Sequence, residues 1–248
     1  MAAALAASCR APAPPGALDS RMASCVPADT LVLAAIDLDQ VRGSAIYPAL
    51  PIAPAVVDSF HDASRVAAAF NGQALLMIAG GRFRAAPAGW TLVESGLAVS
   101  GAESAVQAAL LQHGGRQGKA RVLMDADRVA AGKPAWVVAL GGVSLPLSGN
   151  AENLNRLLEK SEYGSLTLTL APVVRVEAIF AAQNDAAAAE LEKTLRAFIE
   201  LARMAEKRGS EADSILGAIE LKRENTVVRA SVGVDPDGFG KLVQSLTR

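Results

Sequence analysis

The dipeptide Asn71-Gly72 lies between two apolar runs, Arg65 to Phe70 and Gln73 to Ala79, and it restricts the fold more than any other feature of the chain. Asn-Gly readily takes the two positive φ angles that a two-residue type I′ turn requires, so the flanking runs read as the strands of a hairpin. Similar signals recur. Thr91 to Val93 and Leu97 to Val99 flank Glu94-Ser95-Gly96, Ser165 to Leu170 turns at Ala171-Pro172 into Val173 to Ala182, and Ile219 to Lys222 precedes Thr226 to Val234. Leu31 to Ile36 and Ala135 to Leu140 are continuous apolar runs of the kind found in buried strands. Between Ser165 and Leu170 small polar residues alternate with leucine, which predicts a dry face at Leu166, Leu168 and Leu170. The same alternation predicts an exposed sheet face at Ser165, Thr167, Thr169, Arg175 and Glu177.

The segments between these runs carry helical spacing. Pro54 opens a short helix with Val56, Val57 and Phe60 on one side, and Ser100 with Glu103 has capping-box spacing for a helix running to His113 and stopped by Gly114. A further helix spans Ala120 to Ala131, and Asn150 caps one whose Leu154, Leu157 and Leu158 share a face. Asn184 caps a long helix to Gly209, striped by Leu191, Leu195 and Phe198. Glu211 to Ala218 follows, and Asp235-Pro236 starts a last helix lined by Phe239, Leu242, Val243 and Leu246. The expected fold is therefore α+β, mainly antiparallel sheet from hairpins covered by amphipathic helices, in two similar halves. Residues 1–26 form a leader and Pro/Ala-rich tether, 27–132 the first half, and 133–248 the second half with a helical insertion at 184–218. The halves are expected to pack as one composite unit. Offsets of 104 residues from Leu31 to Ala135, 100 from Ser64 to Gly164 and 130 from Leu97 to Val227 support an internal duplication.

The start of the chain, M-A-A-A-L-A-A-S, runs into Cys9 and then R-A-P-A-P-P-G. It resembles the end of a bacterial lipoprotein signal, in which small residues precede a cysteine that is lipidated after cleavage. Ala6 stands where that family has Leu or Val, and the basic and long apolar parts of an export signal are missing. The resemblance implies an exported protein of the cell envelope, lipid-anchored through Cys9 or free in the periplasm. The alternative is an Ala/Pro-rich terminus of a cytoplasmic protein. Met22-Ala23-Ser24-Cys25 repeats the pattern, but Asp19 and Arg21 exclude an apolar stretch before it. In element order the body also resembles uncharacterised bacterial envelope proteins with duplicated α+β halves; with no motif in common, that resemblance transfers no functional residues.

Composition narrows the chemistry. With 24 basic and 25 acidic residues there is no whole-molecule field for nucleic acid, and aromatics at 4% supply no stacking platform. Charge divides evenly between the halves as well. No transmembrane helix is expected, because the longest uncharged run, Pro134 to Ala151, is broken by glycines and Pro146. Only two histidines occur: His113 in a last helical turn suits the helix dipole, and His61 stands beside Asp62 without an identifiable nucleophile. Gly114 to Ala120 falls short of a phosphate-binding loop in glycine spacing and puts alanine where Ser or Thr would ligate magnesium. Asp37 with Asp39 and Asp125 with Asp127 are close carboxylate pairs outside any calcium-loop pattern. The residues thus point to no catalytic, metal or cofactor site. The expected function is a non-enzymatic exported or membrane-tethered interaction or structural protein with a protein partner. A carrier of a lipid or other apolar small molecule is the alternative, and an unrecognised enzyme the third reading.

Overall fold

The structure is a computed structural model, and it describes residues 16–49, 60–116, 118–146, 153–170, 173–236 and 238–239. Ten strands make one antiparallel sheet: β1 Val32–Asp37, β2 Ala63–Phe70, β3 Leu75–Gly81, β4 Thr91–Glu94, β5 Leu97–Gly101, β6 Ala135–Leu140, β7 Ser161–Thr169, β8 Val174–Ala182, β9 Glu220–Glu224 and β10 Val227–Val234. The described helices are α1 Ser20–Ala23, α2 Leu38–Arg42, α3 Glu103–His113, α4 Arg121–Val129, α5 Asn153–Glu159, α6 Asp185–Ala205 and α7 Glu211–Gly217, with a 3-10 turn at Tyr47–Ala49.

Across the sheet the strands run β4-β5-β3-β2-β1-β6-β7-β8-β10-β9. From the central β1–β6 pair outward, the two halves therefore have the same order. Their irregularities coincide too. The β2–β3 ladder shifts register between Ala63 and Arg65, and the β7–β8 ladder between Ser161 and Tyr163, each 98 residues later. Glu94 pairs with Leu97 across a two-residue turn, and Glu224 with Val227, each 130 residues later. At the centre Ala34 pairs with Val137, 103 residues on, which places a pseudo-twofold axis through that pair.

Residues paired across a ladder share a face, so register separates the core into two layers. Face A carries Leu33, Ala35, Ala67, Leu76, Ile78, Val99, Trp136 and Val138, and it is covered by Met22 of α1, Ala109 of α3, and Val122, Leu123 and Ala126 of α4. Face B carries Val66, Ala79 and Ala98 in the first half, packed with Leu38, Phe83 and Trp90. Their counterparts under the offsets include Phe180 and Val228, which pack with Leu157 of α5 and with Ala188 and Leu191 of α6. Helices thus lie on both faces, whereas hairpin patterning alone requires cover on one.

The body also begins earlier than Pro27. Ala17, Leu18, Met22, Cys25 and Val26 are buried in the face A core, and Ala17 N donates to Asp127 Oδ1 at 2.8 Å. Short-range patterning missed this because Asp19 and Arg21 break the apolar run, yet Asp19 caps α1 and Arg21 bonds Glu94 at 2.5 Å. Two turn details differ from expectation. The Asn71-Gly72 hairpin closes over four residues, from the Phe70–Leu75 pair, because Asn71 Oδ1 accepts from Gln73 N and Ala74 N and builds an Asx turn. The Ser100–Glu103 capping box does not form: Ser100 belongs to β5 and its hydroxyl donates to Gly89 O, leaving α3 without a side-chain cap. The helix expected from Pro54, the cap at Asn150, the turn at Ala171-Pro172 and most of the last helix lie outside the described residues.

Candidate interaction surfaces

The strongest departure from the sequence pattern is at β7. Ser165 and Thr167, expected on a wet face, are buried at 6% and 2% exposure, while Leu166, expected dry, is 44% exposed. Register explains the inversion. Ser165 pairs with Val138 and Thr167 with Trp136, so both lie on face A, the side of the sheet that α4 covers. Alternation fixes which residues share a side; it cannot say which side the helices cover. The cost of the arrangement is visible in Ser165 Oγ and Thr167 Oγ1, which are buried with no hydrogen-bond partner among the described residues.

Leu166 faces an open trough on face B at the middle of the sheet. Val32, Val137, Ala139, Leu154 and Leu158 contribute to its lining, together with Phe180, and its volume is about 270 Å³. The lining is almost wholly apolar. One wall is pinned: Asn155, buried in α5, donates to Leu145 O and accepts from Leu145 N, both at 2.9 Å, which holds Leu145 at the rim. Gly164 leaves the floor low, since a Cβ there would press on Leu158 and the Phe180 ring at about 3 Å. Leu154, beside Asn155 in α5, also lines the trough and is 47% exposed. The signal for this surface was present in the leucine alternation, but attached to the wrong side.

The sheet edges are unsuited to pairing with another strand. The outermost β9 reads Glu-Leu-Lys-Arg-Glu with its charged side chains exposed, and β4 is four residues long with a register shift at Leu92/Glu94.

The chemistry candidates resolve into structural work. Asp37 caps α2 through Gln40 N at 2.9 Å and accepts from Arg65 at 2.6 Å. Burial pushes its carboxyl up, but the Gln40 and Arg65 hydrogen bonds outweigh burial and hold it below the usual aspartate range. Asp39 pairs instead with Arg42 at 3.5 Å. Asp127 holds the Ala17 amide, whereas Asp125 is turned inward, and burial raises its carboxyl despite Arg128 at 3.3 Å.

His61 lies at the surface 3.0 Å from Asp62, on a recess of about 350 Å³ that Phe60, Phe83 and Trp90 help to line. His113 Nδ1 is 2.8 Å from Ser24 Oγ. That hydroxyl donates its one proton to Arg21 O at 2.6 Å, so the histidine N–H donates to Ser24 and ties α3 to α1. Cys25 is fully buried, and burial pushes its thiol up to about 11. Cys9 lies outside the described residues. Among the described residues no three His, Cys, Asp or Glu side chains converge as a metal site, and no helix is long and apolar enough to cross a membrane.

No family model matches the chain, and no curated protein matches it significantly. Two crystal forms of a protein called TP0453 share its fold. Form I superposes with a TM-score of 0.51 at 9% identity, over 91% of this chain and 97% of the other. Form III gives 0.51 at 9% identity, over 95% and 100%. At that identity the likeness establishes the fold, an α+β body on a large antiparallel sheet, and nothing about chemistry.

Proposed function

We propose that this chain is a non-enzymatic protein of the cell envelope, exported and tethered through Cys9 or free after export, whose body serves as an interaction module. The observation that carries the reading is the open apolar trough around Leu166, set in a sheet whose edges repel added strands. A surface of that kind is stable in water only at a cost, which contact with a partner removes. The carrier reading draws on the same trough. Its volume of about 270 Å³ lies below the roughly 300–1,000 Å³ of ordinary small-molecule pockets, and it is open to solvent, so a macromolecular partner fits it better.

A photo-crosslinking amino acid at position 166 tests the choice in intact cells. The expected result is an adduct heavier than the chain by the mass of a protein. An adduct of lipid mass instead transfers the proposal to the carrier, and absence of any adduct at 166 and at 154 refutes it. The address is tested separately, by the membrane fraction of native chain against Cys9→Ser.

A further inference from the structure

The first described residue, Gly16, lies against Asp127, and Ala17 is hydrogen-bonded to the same carboxylate. The chain therefore leaves the body on the α4 side of face A. Six residues lie between Cys9 and Gly16, seven Cα–Cα steps with a reach of at most about 25 Å. A lipid on Cys9 would keep this side of the molecule, and not the trough on face B, close to the bilayer.

The outer surface at that exit has the composition such a neighbour requires. Arg116, Lys119 and Arg121, in the α3–α4 loop and the first turn of α4, are exposed and have no ion pair among the described residues. Arg128 lies two turns further along α4, paired at one nitrogen with Asp125. Two large apolar side chains are exposed on the same helices, Met124 at 56% on α4, three residues after Arg121 and four before Arg128, and Leu111 at 41% in the last turn of α3. Of the acidic groups near these cations, Asp127 accepts from the Ala17 amide and Asp125 pairs with Arg128, while Glu162 of β7 lies within electrostatic reach of Asp125.

We propose that this α3–α4 surface lies against an anionic lipid membrane, with its cations over the headgroups and Met124 and Leu111 at the interface. The proposal rests on the tethered reading given above, and it adds the orientation: face A towards the lipid, the Leu166 trough towards the aqueous side. Each basic residue held near an anionic surface raises partition roughly fivefold, and salt screens the effect. Such a contact is weak alone, but a tether converts it into an intramolecular one.

The test uses the full chain carrying Cys9→Ser, so that no lipid contributes, with vesicles of phosphatidylcholine alone or with phosphatidylglycerol added. Binding to the anionic vesicles is expected to exceed binding to neutral ones at least tenfold at low salt, and to disappear in Arg116→Glu/Lys119→Glu/Arg121→Glu. Reversing the same number of charges on the α6 side, in Lys193→Glu/Lys207→Glu/Arg208→Glu, is expected to leave it intact, with circular dichroism confirming the fold of both variants. Equal binding to the two vesicle types, or equal loss in the two variants, overturns the proposal. Mass spectrometry of the Cys9 peptide from cells reports the tether independently: an unmodified Cys9 with the vesicle preference intact removes the tether and leaves the surface, and a lipidated Cys9 without that preference does the reverse.

Discussion

Two aspartates show how one residue type does opposite work in different surroundings. Asp37 is held ionised by donors, so its stabilising effect is fully present above the ordinary aspartate range and is lost as pH falls through its lowered folded value. Asp37→Ala is expected to cost about 1–2 kcal/mol at neutral pH, from the lost cap and ion pair, with the gap to native closing in acid. Asp125 is the reverse case. Its folded value lies above the unfolded one, so the native state holds the proton more tightly and loses stability as pH rises through the raised value. Asp125→Asn is therefore expected to equal or exceed native stability at neutral pH and to lose that advantage on acidification, both read from urea midpoints across pH. Asp37 at the end of a strand is a residue type and position that commonly caps the turn that follows. The inward turn of Asp125 was not legible in sequence, because a helical period places Asp125 and Asp127 on different sides without saying which side meets the sheet.

Elements were read best where the signal is local. The strands β1 and β6, the hairpins and the long α6 fall close to the runs that predict them, since alternation, apolar runs and an Asn cap act over a few residues. The capping box failed because a strand claimed Ser100 first, a pairing decided by β3 far along the chain. The contrast gives a clean comparison. Asn184 accepts from Ala187 N at 2.9 Å, so Asn184→Ala is expected to cost about 1 kcal/mol, whereas Ser100→Ala is expected to cost well under that, both measured by chemical denaturation. Gly96 carries a φ of +75° and its missing side chain faces Gly81 O. Gly96→Ala is expected to lower the midpoint by more than Ser100→Ala does, through strain and collision together.

At the scale of the molecule, the strand order repeats outward from the centre of the sheet, and the register places the repeat around the Ala34–Val137 pair. The helices α6 and α7 stand between β8 and β9, at the place where a loop joins β3 to β4. A single sheet spanning both halves predicts one cooperative unfolding transition. Trp90 lies in the face B cluster of the first half and Trp136 on β6, at the junction of the halves, so the fluorescence transitions of Trp136→Phe and Trp90→Phe are expected to coincide with the circular dichroism transition, to which both halves contribute; separated transitions would show halves that fold independently. What the sequence could not supply was the choice of covered side, which depends on contacts between β7 and helices distant in the chain. Thiol accessibility in a Cys9→Ser background measures that choice directly. Leu166→Cys is predicted to react rapidly with a maleimide in the folded protein, while Thr167→Cys reacts as slowly as the buried Cys25. Protection at position 166 with rapid reaction at 167 would contradict the account.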